Sequence, residues 1–245
     1  MHNLLKMERY QLWHNRLYWG SLAGVFLIGL LTAETYVPEL MGPGGEAARS
    51  LNDIFNGMVY DSTFLLIFIS SILALVLGKE FSGRTIDQEI CAGHTRRAIF
   101  TSKIITYLAA FNLMAVVYPI GGCVREYVRF GLADGGAFFY NVIKAVIYSF
   151  VANSAVFLIA ILFCCLLQSA VKAAAVTAGV LFALSLYLGY GMMLKLPVSF
   201  LPIFQIREAI MSKDFLVGPA FLVSLGWGVV LIALSWRRFA KCDLK

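Results

Sequence analysis

Charge is scarce in this sequence. Asp, Glu, Lys and Arg make up 14% of its 245 residues, against roughly 25% in soluble globular domains, and that deficit excludes an ordinary water-soluble fold. Histidine is scarcer still: His2, His14 and His94 are the three present, and none has a second ligand at metal-binding spacing, which removes the usual zinc patterns. Five cysteines are an odd number and suggest no disulfide framework. Cys164 and Cys165 are adjacent in an apolar run, and Cys242 is followed by Asp243 where a prenylation signal needs an aliphatic residue. There is no G-x-S-x-G elbow, no H-E-x-x-H, and no G-x-x-x-x-G-K-[ST] phosphate loop. LGKEF at 77–81 has the Gly-Lys but neither the earlier glycine nor the hydroxyl residue. These absences predict a chain with no catalytic residues, metal or cofactor of its own, and one that does not hydrolyse ATP.

What is abundant is apolar: 60% of residues are hydrophobic and the mean hydropathy is +0.80. The hydrocarbon core of a bilayer is about 30 Å thick and a helix rises about 1.5 Å per residue, so a span needs about 17 to 25 apolar residues. Six runs qualify, at 17–33, 62–77, 104–123, 145–167, 173–194 and 215–236. They are continuous rather than alternating, which points to helices and away from a closed barrel. The expected fold is an all-α integral membrane protein forming one transmembrane domain over residues 1–245, with no repeat and no soluble domain. Basic residues before an apolar run also describe a secretory signal peptide, but 17–33 is longer than a usual signal core and follows sixteen residues rich in Trp, Tyr and Leu, so a retained span is expected. That leader, 1–16, reads either as a helix lying in the membrane interface or as a snorkelling flank of the first span.

Lys and Arg are retained on the cytoplasmic side of a membrane. With the amino terminus inside, the cytoplasmic segments hold 13 Lys and Arg against 5 Asp and Glu, and the outer segments hold 7 against 9. Six spans then leave both termini cytoplasmic. A basic inner face also attracts anionic lipid, so the pI of about 9.1 gives no reason to invoke nucleic acid.

Ionisable residues are missing from the six runs, which argues against an ion-coupled carrier. Neutral polar residues are present: Asn112 in the third run, and Ser149 and Asn153 one helical turn apart in the fourth. They either line a substrate path or hydrogen-bond between helices. Gly20 with Gly24, and Ala175 with Gly179, are small-residue pairs that permit close helix approach. Outside the spans, Leu51, Ile54, Phe55 and Met58 are at helical spacing and predict a short surface helix. Pro197 and Pro202, followed by Ile206, Ala209 and Ile210, predict either a helix dipping back into the outer leaflet or a structured loop.

Residues 80–103, EFSGRTIDQEICAGHTRRAIFTSK, carry seven charged side chains between two spans. At roughly 2.5 to 3.5 kcal/mol per charge at a helix centre, they are expected at or beyond the membrane surface. A short helix is predicted over 80–92 despite Gly83, with Glu80 and Arg84 as an i, i+4 pair. Gly93 suits the position just past its end, and Thr95 suits the N-cap of the next helix. Arg96 and Arg97 then fall in a first helical turn, where the macrodipole disfavours cations, so anionic lipid, the topology signal or an acidic partner is the expected reason for them.

The pattern E-F-x-x-x-T-I, then G-x-T-R-R-x-I-x-x-S-K leading into a span, resembles the cytoplasmic loop between the second and third spans of ABC type-2 transporter permeases, and LLKMERYQLWHNRLYW is similar to their amino-terminal start. The resemblance implies that the loop is a coupling helix seated in a groove of a separate ABC ATPase subunit, with Glu80, Phe81, Arg84, Thr85, Ile86, Ile90, Gly93, Arg96, Arg97 and Lys103 at the docking positions. It implies that the leader is an interfacial connecting helix and the segment before the last span a pair of re-entrant external helices. ATP and Mg would be bound by the partner chain, and a second permease, identical or related, would complete the substrate path in a bacterial plasma membrane. The cargo expected on this basis is amphipathic or hydrophobic, such as a peptide antibiotic that is exported or resisted. Gly83 departs from the pattern by weakening the helix. Two other classes stay open: an ATPase-independent membrane scaffold or immunity protein, and a membrane-embedded enzyme.

Overall fold

A computed structural model describes residues 2–39, 45–132, 134–211 and 218–241. Of the described residues 85% are helical, and none is in a strand. Its helices are α1 (His2–Trp13), α2 (Arg16–Thr32), α3 (Leu51–Tyr60), α4 (Thr63–Ser82), α5 (Thr85–Cys91), α6 (Arg96–Phe130), α7 (Gly135–Leu167), α8 (Ala170–Met193), α9 (Pro202–Met211) and α10 (Pro219–Ala240). Six of them, α2, α4, α6, α7, α8 and α10, are long and apolar enough to cross a membrane, and they coincide with the six predicted runs. Residues 215–217 of the last run lie outside the described residues.

Local chemistry sets the helix ends. Asn15 caps α2 through its side-chain oxygen, which accepts from Leu17 N at 2.9 Å, and Ser50 caps α3 by accepting from Asp53 N. The separation of α1 from α2 at His14 and Asn15 makes the leader a helix of its own. Helices α6 and α7 have 35 and 33 residues, so each is about 50 Å long and overruns the hydrocarbon thickness. The surplus of both, the carboxyl end of α6 and the amino end of α7, forms a hairpin capped by α3 and α9.

The predicted surface helix is α3, and it is not on the surface: Ile54, Phe55 and Met58 are buried because the protruding hairpin gives them a wall to pack on. One helix, α9, forms before the last span, burying Ile203, Ile206 and Ala209 against α7 and α10; of the rest of the segment predicted to hold a re-entrant pair, 196–201 is not helical and 212–214 lies outside the described residues. Central in the bundle is α7, which touches α4, α6, α8, α9 and α10.

The predicted glycine pairs are not where helices meet inside the chain. A Cβ on Gly20, Gly24 or Gly179 would meet nothing within 4 Å. The close approach is between α2 and α6, where a Cβ on Gly29 would strike the Tyr118 carbonyl and one on Gly121 would lie 2.6 Å from the Phe26 carbonyl oxygen. Pro119 sits inside α6 at this crossing.

The amino end of α6 adjoins α1, through Glu8 and Lys103, and adjoins the carboxyl end of α10, through Arg96 and Ala240. Helix α1 and the carboxyl end of α10 therefore lie at the end of the bundle that carries α5.

Candidate functional site

Residues 80–103 do not form one helix and a turn. They complete α4, reverse direction at Gly83 and Arg84, form the two-turn α5, and turn again into α6. The reversal uses Arg84, not the neighbouring glycine, in the left-handed region at φ 57°, a conformation that a non-glycine residue adopts at a cost of about 1–2 kcal/mol. Thr85 Oγ1 donates to the Glu80 carbonyl at 3.1 Å and closes this bend. The predicted Glu80–Arg84 pair is thereby broken, since the two residues no longer share a helix. At the second turn Gly93 has φ +88°, and Thr95 caps α6 by accepting from Ala98 N at 3.3 Å, as the sequence predicts.

Beneath α5 lies a buried charge cluster. Lys103 Nζ donates to Glu8 Oε1 at 2.7 Å, to Glu89 Oε1 at 3.0 Å and to Glu80. Tyr107, one turn along α6, donates from its hydroxyl to Glu80 Oε1 at 2.5 Å. Lys103, Glu8 and Glu89 are 4%, 1% and 5% exposed, so bulk water does not screen them. Four elements contribute: α1 through Glu8, α4 through Glu80, α5 through Glu89, and α6 through Lys103 and Tyr107.

Three carboxylates face one ammonium, so full ionisation leaves an excess of negative charge. Burial raises the Glu8 carboxyl to about 7, against the pull of Lys103 and with the help of Glu80 and Glu89. Glu8 Oε2 and Glu89 Oε2 have no hydrogen-bond partner. A proton on Glu8 relieves part of the excess and supplies a donor. The three carboxylates gather closely enough to ligate a cation, with ligand atoms within 4.8 Å of one another, and Lys103 places its ammonium there.

The docking residues predicted from the sequence divide in two. Ile86 is 1% exposed, and Glu80 and Lys103 belong to the cluster. These three face the interior and not a docking surface: Ile86 because α5 packs on α6, and Glu80 and Lys103 because α4 and α6 bring the two charges together. Phe81 is half-buried, its ring edge-on to Phe239 at 6.1 Å, and Ile90 and Thr85 are half-buried. Arg84, Gly93 and Arg97 are exposed. Arg96 donates to the Ala240 carbonyl at 3.1 Å, so the arginine that disfavours its own helix end caps the carboxyl end of another, where a cation is favoured.

The three polar span residues also face inward. Asn112 Nδ2 donates to Leu108 O at 2.9 Å and to Ser154 Oγ at 3.2 Å, joining α6 to α7. Ser149 Oγ donates to Val146 O at 3.3 Å, and the space beside Ser149 and Asn153 is a void of about 10 Å³, about the size of one water. Of the three, Asn112 makes the hydrogen bond between helices, Ser149 bonds within α7, and Asn153 Oδ1 is buried without a partner. A larger crevice, about 410 Å³, opens between α4 and α8, with Phe64, Phe182 and Tyr190 on its walls and Asp61 and Arg207 at its end. Arg207 Nη2 lies 3.6 Å from Asp61 Oδ1, and burial raises the Asp61 carboxyl while Arg207 opposes it.

Glu8, Glu89 and Tyr107 were not among the predicted site residues. A signal for two of them exists. Glu8 falls between Leu4 and Leu12 on an i, i+4 stripe, and Lys103 and Tyr107 continue the stripe of Ile99 and Phe111, so each charge occupies a position that helical periodicity assigns to the core.

Compared with known proteins, the chain matches no protein-family model and no curated protein.

Proposed function

We propose that this chain is the membrane-spanning subunit of an ATP-driven exporter in a bacterial plasma membrane, docking a separate ABC ATPase and forming the cargo path with a second permease. The observation that carries the reading is the buried cluster. A movement imposed on α5 from outside must be conveyed to the spans, and a two-turn helix held only by its flanking turns would bend instead. Lys103 ties α5 to α1, α4 and α6 at once, and because breaking a buried pair strands charges at about 3–5 kcal/mol, the four elements move as one lever. The surface left for a partner is Arg84, Gln88, Cys91, His94 and Arg97, all exposed.

The permease supplies shape and no covalent chemistry; ATP and Mg are held by the partner. The crevice between α4 and α8, aromatic along its walls and charged at one end, suits an amphipathic cargo, a peptide antibiotic being one such molecule.

The test is recovery of an ATPase with the tagged chain from its native membranes in mild detergent. Wild-type chain is expected to retain a nucleotide-binding subunit, and Arg84→Glu with Arg97→Glu is expected to lose it while the permease stays inserted. No ATPase on the wild-type chain would overturn the reading and favour a scaffold or immunity protein acting alone.

A further inference from the structure

Helix α1 sorts its charges by face. Its carboxylate, Glu8, is turned inward with Leu4 and Leu12, whereas Lys6 and Arg9 are exposed and have no ion-pair partner among the described residues. The outward face of the helix is therefore cationic, with no acid on it to offset the charge.

That face borders a crevice of about 410 Å³ between α1 and α6, within the roughly 300–1,000 Å³ of small-molecule sites. The spanning helix lines it mostly with apolar side chains, Thr106 being the one polar residue: Ile105, Ala109 and Leu113 recur at i, i+4 and i+8. Lys6 and Arg9 stand at its mouth, and none of its described lining residues is acidic. Trp13 shares the wall, and its position is set by Trp19, whose Nε1 donates to the Trp13 carbonyl at 2.7 Å. A second concavity of about 550 Å³ continues over the same face past Lys6, Arg9, Tyr10 and His14, so the basic mouth opens into a wider basic and aromatic shelf.

We propose that this crevice seats one anionic phospholipid of the leaflet on which α1 lies, its phosphate between Lys6 and Arg9 and one acyl chain along Ile105, Ala109 and Leu113. The pairing of a cationic, indole-bearing mouth with an apolar furrow on a spanning helix matches the two ends of that molecule. A free phosphate would leave the furrow unused, an apolar peptide would leave the two cations unused, and a zwitterionic lipid would gain no net charge attraction. The proposal rests on the membrane-spanning arrangement and is independent of any ATPase.

Native mass spectrometry of the full chain, released from detergent containing either phosphatidylglycerol or phosphatidylcholine with matched acyl chains, provides the test. One phosphatidylglycerol is expected to be retained roughly thirty-fold more strongly than phosphatidylcholine, the preference two cations near an anionic surface supply. Lys6→Gln with Arg9→Gln should remove the preference, and Ala109→Trp, at an exposed position, should remove the bound lipid by filling the furrow. Equal retention of the two lipids, undiminished phosphatidylglycerol on either variant, or displacement by inorganic phosphate alone would each overturn the proposal. Quenching of Trp13 fluorescence by brominated phosphatidylglycerol, taken as wild type minus Trp13→Phe, reads the same site in bilayers: quenching beyond that by brominated phosphatidylcholine is expected, and equal quenching would count against it.

Discussion

Lys103 stands at the meeting point of four helices, and its removal is the most damaging single change the site offers. Lys103→Met would leave Glu8, Glu80 and Glu89 without their cation, a loss of about 3–5 kcal/mol that should appear as a lower melting temperature in detergent. Adding Glu89→Gln should restore part of the loss, because one stranded carboxylate is removed; purely additive effects would mean that the two residues do not share a network. Glu8 also gives the site a pH dependence with a definite sign. Its carboxyl is raised from 4.5 to about 7, with Lys103 and Tyr107 of α6, Glu80 of α4 and Glu89 of α5 facing it. The folded form holds the proton more tightly than the unfolded one, so this contribution is present below 4.5 and is lost as pH rises through about 7. Relative to Glu8→Gln, the wild type should therefore lose thermal stability across that window, and parallel curves for the two proteins would contradict the assignment. Glu8 and Lys103 are each legible as charges at core positions, but they are 95 residues apart, and nothing in the order of residues says that they meet.

Among the elements, α5 and its two turns depart most from expectation. The composition of 80–92 favours a continuous helix except at Gly83, and the break at Gly83 and Arg84 sets Glu80 and Glu89 on two different helices that both reach Lys103. Arg84 bears the strained backbone, so Arg84→Gly should relieve it and stabilise the fold by up to about 1 kcal/mol, while still removing a cation from the outward face; a fall in melting temperature would mean that the Arg84 side chain makes a compensating contact. Gly93→Val should have the opposite sign, since φ +88° is costly for a β-branched residue. The α2–α6 crossing gives a second contrast. Gly121→Leu should prevent close packing and reduce the yield of folded protein, because the Phe26 backbone leaves no room. Gly24→Leu, where a Cβ meets nothing within 4 Å, should fold normally, and any deficit it shows should appear only in assembly with a second copy.

At the scale of the whole molecule, six spans place α1, α5 and the end of α10 together at one end of the bundle, and α3, α9 and the long α6–α7 hairpin at the other. Which end faces the cytosol is open to a direct measurement. Cys91 is exposed, whereas Cys123, Cys164 and Cys165 are buried, so in a Cys242→Ser background an impermeant maleimide should label Cys91 only after the cells are opened. Labelling from outside intact cells would invert the arrangement and remove any access of a cytosolic ATPase to α5.

The amino-acid sequence by itself determined the number and approximate limits of the spans, the caps at Thr95 and Gly93, and the charge bias between loops, because each depends on composition or spacing within one or two helical turns and on the thickness of a bilayer. Tertiary structure alone decided that α3 is buried, that Arg96 serves the end of α10, and that Glu80, Ile86 and Lys103 belong to the interior instead of a docking face. Those outcomes turn on which surfaces cover one another, and a buried charge is tolerated only where distant segments bring it a counter-charge, a condition that no local pattern encodes.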